Sequence, residues 1–219
     1  FTTTRNTVAT RVNENGLIEE VASNVPRLDY SDGGCPSLLL EGTATNLITY
    51  SEDFSDASWA KGNVTLTSNS AISPDGTLNA DLLTFTTSSG NYIDKGGTIT
   101  IGQTYTVSCY VKSAVSSSQT FKIYGNLNKV SATLTATTEW QRFTHTFTSD
   151  ISNLSSGFVS SALSQLHIYG FQVEENSYST SYIKTVGTTQ TRVADTATGS
   201  GNSTVINSSE GVLYAEISA

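Results

Sequence analysis

The sequence is poor in charge and poorer still in reactive side chains. It has no Met, two Cys, two His and three Pro in 219 residues, and only 14% of those residues are charged. Eleven Lys and Arg face nineteen Asp and Glu, a net charge of -8 with no basic cluster. Nucleic-acid binding replaces phosphate counterions with Lys and Arg, so this balance argues against it. No run approaches the ~20 apolar residues of a membrane span, and no signal peptide is visible at the start. A chain that opens on Phe1 and holds no Met is expected to be a piece of a longer polypeptide. The residues leave a Cys35–Cys109 disulfide open. Two reduced thiols are the expectation, because nothing else suggests a disulfide framework.

Catalytic signatures are missing too. There is no Gly-x-Ser-x-Gly elbow, no His/Cys cluster of zinc-ligand type and no Asp/Asn-rich calcium loop. Glycoside hydrolysis needs two facing carboxylates, and spacing alone singles out no pair among so many acids. What fills the chain is Ser, Thr, Asn and Gly. The resulting neutral, hydrogen-bonding surface suits sugar recognition, and equally any extracellular β-protein.

The strongest pattern is strand-like. In Tyr105 to Lys112, Tyr105, Val107, Cys109 and Val111 fall on one face and Thr106, Ser108, Tyr110 and Lys112 on the other, a period of two. From Trp140 to Thr148, Phe143 and Phe147 share a face with His145, which reads as a core histidine with its hydrogen bond satisfied. Thr120–Asn126 alternates likewise, with Phe121 and Ile123 inward. Leu166–Glu174 reads with Leu166 and Ile168 on one face and Tyr169, Phe171 and Val173 on the other. Short strands separated by Gly, Asn and Ser turns predict an all-β sandwich, with no long helix and no internal repeat.

The flanks read differently. Residues 7–21 predict a hairpin turning at Asn13–Gly16. Its apolar surface is too small to stand alone, so it should lie against something else. Arg27–Tyr30 suggests a short third strand, and Ser37–Gly42 a run buried on both sides. Residues 187–203 read as a polar linker, and Gly211–Ile217 as a fresh strand. Unpaired edges at either end call for a partner.

Several segments resemble a module of phage tail-fibre and other tail-associated proteins. They are Asn46–Phe54 with Trp59, Pro74–Thr77 with Ala80-Asp81, Tyr105–Lys112, Trp140–Phe143, Gly170–Glu175 and Thr180–Ile183. Thr4–Val12 and Leu38–Gly42 resemble what precedes that module, and Thr191 to Ile217 the lead-in to a concanavalin-like lectin domain. The module is similar to jelly-roll carbohydrate-binding modules. The resemblance implies an N-terminal β arm over 1–44, a jelly-roll carbohydrate-binding-like β-sandwich over 45–186, and over 187–219 a linker with the first strand of a following domain. It implies a non-catalytic structural and receptor-binding role in a virion tail, with a cell-surface glycan, other tail proteins and further copies of the chain, in a homotrimer, as partners. An auxiliary module of a secreted polysaccharide-degrading enzyme is the alternative.

Candidate contacts follow from the faces. Tyr110 and Tyr124 lie opposite apolar strand faces, beside Lys122 and Asn126, and are the carbohydrate-binding candidates. The opposing reading for outward tyrosines is cross-strand packing. Trp59 and Trp140 read as packing residues. Jelly-roll modules often carry a structural calcium, for which Glu52, Asp53 and Glu174 are the candidate ligands.

Overall fold

The computed structural model describes residues 2–126 and 128–199, and every regular element among them is a strand. In chain order these are β1 (Thr2–Thr4), β2 (Ala9–Val12), β3 (Ile18–Val21), β4 (Leu28–Asp29), β5 (Ser37–Leu38) and β6 (Ala44–Asn46). Then come β7 (Trp59–Gly62), β8 (Val64–Ile72), β9 (Leu78–Phe85), β10 (Tyr92–Thr98), β11 (Thr104–Ser113) and β12 (Gln119–Tyr124). The last six are β13 (Leu134–Ala136), β14 (Gln141–Thr148), β15 (Asn153–Val159), β16 (Gln165–Glu174), β17 (Gln190–Arg192) and β18 (Thr196–Thr198).

Two five-stranded antiparallel sheets form the jelly-roll sandwich, ordered β13-β12-β15-β10-β7 and β14-β11-β16-β9-β8. The predicted alternation holds for β11: Tyr105, Val107, Cys109 and Val111 are all buried. They meet Ile93, Phe121, Ile123, Leu154 and Phe158 of the facing sheet in one continuous core. Trp59 packs in it edge-on to Phe171 at 5.4 Å and donates its indole N–H to the Tyr50 carbonyl at 3.0 Å. His145 is half-buried, with Nε2 2.9 Å from the Lys129 carbonyl oxygen. Cys109 lies in the core and Cys35 is exposed, both as free thiols.

The faces of β16 depart from the sequence reading. Leu166, Ile168, Phe171 and Val173 all point into the core, and Tyr169 points away from it. Ser108 pairs with Gln172 but Tyr110 pairs with Tyr169, so β16 holds one extra residue opposite β11. Gly170, at φ 64°, takes up that bulge; a left-handed backbone suits glycine because it has no Cβ to clash. The bulge resets the inward phase halfway along the strand, which strict alternation cannot anticipate. Strand β15, absent from the sequence reading, fills the centre of the first sheet.

The hairpin forms with Ala9 opposite Val21 and Val12 opposite Ile18. Its missing partner is the sandwich of the same chain. Ile18 packs with Tyr169 and Tyr182, and its N–H donates to the Pro74 carbonyl at 2.9 Å. Leu38 and Leu40, expected to be buried on both sides, are exposed: Leu38 lies in the two-stranded β4–β5 ribbon and Leu40 just after it, and among the described residues no further strand pairs with that ribbon. Residues expected to behave as a linker pair back onto the arm and the sandwich entry: β17 with β6, and β18 with β1. The strand expected at 211–217 lies outside the described residues.

An ionic core sits where these flanking segments meet. Arg27, with a fully buried side chain, reaches Glu41 at 2.7 Å, the Ser181 hydroxyl at 2.8 Å and also Asp195. Arg5 reaches Asp195 at 2.8 Å, and Arg192 binds Glu41 and the Gly42 carbonyl. Burial opposes ionisation of both carboxyls, yet each is held below its ordinary value: Glu41 by Arg192, Ser181 and Arg27, Asp195 by Arg5 and Arg27.

Candidate functional site

The outer face of the β13-β12-β15-β10-β7 sheet carries a groove of about 500 Å³. Alternation places Ile93 in the core and turns Tyr92 and Asp94 outward; on β12 it puts Phe121 and Ile123 in the core and Tyr124 on the opposite face, where it lines the groove although only 5% exposed. Ala60, Val130 and Val159 complete the groove around them. Tyr92, 40% exposed, is its open aromatic wall. That ring lies over Gly62, its cross-strand partner: a Cβ built on Gly62 would stand 2.3 Å from a Tyr92 ring carbon. Only a residue without a side chain leaves the ring that position.

The polar floor is a small network. Ser155 donates a hydrogen bond to Asp94. Burial raises the Tyr124 phenol above its ordinary range, and the nearby Asp94 carboxylate raises it further. The phenol therefore stays a neutral O–H over the accessible pH range, able to donate or accept. An aromatic wall for C–H faces, a carboxylate acceptor and a phenol are together what a hydroxylated, uncharged ring requires.

The structure does not gather the four sequence candidates into one site. Tyr124 lies in the groove and half-buried Lys122 beside it on the same strand face. Asn126 is wholly buried after β12, where its amide donates to the Ser149 hydroxyl at 3.3 Å, so it has no surface to offer. Tyr110 is on the other sheet, under the arm, packed with Tyr169 and Tyr182. Trp140 donates to the Ile72 carbonyl at 3.0 Å with Lys112 over its ring, and serves packing. Sequence reasoning missed Tyr92, Asp94 and Gly62. The signal was there in Tyr92-Ile93-Asp94, whose central residue is the inward one.

The proposed calcium ligands do not fit an ion together. Among the described residues, no group of three or more His, Cys, Asp or Glu side chains converges. Glu52 accepts from Tyr169 at 2.9 Å and Tyr182 at 3.0 Å and pairs with Lys184 at 2.8 Å. Glu174 is taken up by the Thr180 N–H and hydroxyl, and exposed Asp53 caps the Ser55–Asp56 turn. Glu52 and Asp75 do approach each other, since both accept from the Tyr169 hydroxyl. Burial would raise Asp75, but hydrogen bonds from Thr77, Ser73 and Asn79 bring it down to about 2.

A family model described as a carbohydrate-binding domain matches residues 46–163, which include Gly62, Tyr92, Asp94 and Tyr124. The chain belongs to that family. This carbohydrate-binding domain has no match among curated protein sequences. Among solved structures it is similar to the CBM22-1 xylan-binding domain of Paenibacillus barcinonensis Xyn10C, at 15% identity and TM-score 0.44, over 62% of this chain and 94% of that one. It is also similar to the enzymatically active domain of bacteriophage CBA120 tailspike protein 4, at 12% identity and TM-score 0.39, over 58% of this chain and 21% of that one. The family is one of carbohydrate-binding domains.

Proposed function

We propose that the Tyr92–Asp94–Tyr124 groove is the glycan-contact face, and that the chain is a non-catalytic receptor-binding module of a phage tail fibre that recognises cell-surface glycans. The observation that carries the site is Tyr92 laid over Gly62, a 40% exposed ring that lines one groove with Asp94 and the Tyr124 phenol, within the stretch the family model matches. The tail-fibre setting rests on the resemblance of Asn46–Phe54, Tyr105–Lys112 and Gly170–Glu175 to tail-associated modules.

A glycan array probed with the intact chain tests the site. Retention of one glycan class, lost in Tyr92→Ala, is the expected result, and unchanged binding by that variant would remove the groove from the reading. Immunogold labelling of virions tests the setting. A glycosidase domain on the same polypeptide would point instead to an auxiliary module of a secreted polysaccharide-degrading enzyme. Trimeric assembly also rests on the resemblance, since the hairpin that called for a partner finds one in its own sandwich. Light scattering on the full-length parent decides it, and a parent that stays monomeric at high concentration would exclude the trimer.

A further inference from the structure

The arginines of this acidic chain are Arg5, Arg11, Arg27, Arg142 and Arg192. Arg5, Arg27 and Arg192 belong to the ionic core, and Arg11 pairs with Glu19. Arg142 alone has no carboxylate partner among the described residues. Its guanidinium lies 5.4 Å from the centre of the Tyr110 ring, directly opposite it in the β11–β14 pair, and Nη2 donates to the Ser108 hydroxyl at 2.9 Å. Its buried Nε has no hydrogen-bond partner among the described residues.

Arg142 and Tyr110 line a cleft of about 330 Å³ between the sandwich and the arm. Thr10, Val12 and Ile18 line it from the hairpin, and Ser179 and Ser181 from the segment after β16. Two carboxylates also border it, and both are occupied. Glu41 is held by Arg27 and Arg192, and Asp29 accepts from the Val12 N–H at 2.7 Å and from Ser31 but has no cation partner among the described residues. The cleft thus offers Arg142 without a carboxylate partner, Arg11 paired with Glu19, hydroxyl groups and apolar edges, with the Asp29 carboxylate on its border. Its position between two structural parts, and its volume, are those of a small-ligand site.

We propose that this cleft is a second binding site, for a carboxylate-bearing sugar such as a uronic acid residue of an acidic glycan. The planar guanidinium takes the carboxylate, an interaction Arg makes better than Lys. Ser179 meets ring hydroxyls, the Thr10 hydroxyl, which donates to the Tyr182 carbonyl, is left to accept, and Val12 meets C–H faces. The site rests on the chain being a carbohydrate-binding domain but not on the Tyr92 groove, which lies on the other sheet.

Titration calorimetry of the whole chain with digalacturonate, with cellobiose as the neutral counterpart, tests it. The diuronate should bind at least tenfold more tightly than cellobiose, and more weakly as salt rises. Arg142→Gln should lose about tenfold, Arg142→Lys should keep part of the affinity, and Tyr92→Ala should change nothing. Amide shifts at Thr10 and Tyr110 in the unsubstituted chain locate the ligand without any variant. No saturable diuronate binding, equal affinity for cellobiose, or shifts confined to the Tyr92 groove would each overturn the proposal. Loss of neutral-glycan binding in Tyr92→Ala reports on the other groove separately.

Discussion

The sandwich and the junction beside it are held together by opposite means. Between the sheets, Phe121, Phe158, Phe171 and their neighbours form an apolar cluster, although the sandwich strands also bury Asp81 and Lys95. At the junction, Arg5, Arg27 and Arg192 are equally buried, against Glu41 and Asp195. An apolar core gains from every contact and tolerates loss of one. A buried ion network is satisfied only when complete, because removal of one member strands another in a low-dielectric setting. The contrast shows how a short β arm lacking a core of its own can be fixed: not by apolar area, but by a few charges drawn from three distant stretches of chain.

The largest test of that contrast is a pair of truncations. Phe158→Ala should cost about 3–5 kcal/mol and lower global stability. Arg27→Ala should cost a similar ~3–5 kcal/mol, but locally. Hydrogen exchange should accelerate in β2, β3 and β17 while β11 and β16 stay protected. If both variants open the whole molecule together, the two regions are one cooperative unit.

Acid separates the regions next. Glu41 and Asp195 are held below their ordinary carboxyl values, so their stabilisation is present above the ordinary carboxylate value and is lost as pH falls through their lower folded values. Asp81 works in the other sense. Burial raises it to about 6 despite hydrogen bonds from the Asn69 and Phe54 backbone, and its Oδ2 has no partner. Its folded value lies above its unfolded one, so the stability it confers is full below about pH 4 and lost as pH rises to about 6. Lowering pH from 7 to 4.5 should therefore stabilise the sandwich, by on the order of 1–3 kcal/mol, and further acid should loosen the arm first. Asp81→Asn should flatten the first change and leave the second. Identical pH profiles for arm and sandwich protection would contradict this.

A smaller effect concerns binding. Gly62→Ala puts a methyl where the Tyr92 ring lies, so glycan affinity should fall tenfold or more, about 1.4 kcal/mol, with little change in Tm. If Tyr92→Ala abolishes binding and Gly62→Ala does not, the ring's position is irrelevant and only its presence counts. The smallest expected effect is that of a chelator. Glu52, Asp53 and Glu174 are each occupied by protein donors, so EDTA should leave Tm within error. A clear drop would mean that an ion binds elsewhere on the folded chain.

Much of the sandwich was legible because a two-faced strand writes its burial into a period of two, as β11 and β12 do. Strand β15 was not, because Ser155, Ser156 and Gly157 carry no apolar alternation; small residues suffice at a centre where neighbours supply the bulk. The faces of β16 were half legible, up to the bulge at Gly170. The candidate site was legible only in Tyr124. Tyr110 and Tyr92 look alike in sequence, an aromatic facing away from an inward Val or Ile.

The sequence by itself determined an all-β chain of two-faced strands and a hairpin turning at Asn13–Gly16. Both are local properties of composition and spacing. The tertiary structure alone decided which outward face stays open, since periodicity says that a side chain leaves the core but not what covers it. The arm and the tyrosines beside it half-bury Tyr110, while Tyr92 stands 40% exposed. It also decided that Arg5, Arg27 and Arg192 share Glu41 and Asp195. Those residues are scattered over most of the chain, and ion pairing at such separations depends on where the backbone returns, which no spacing rule records.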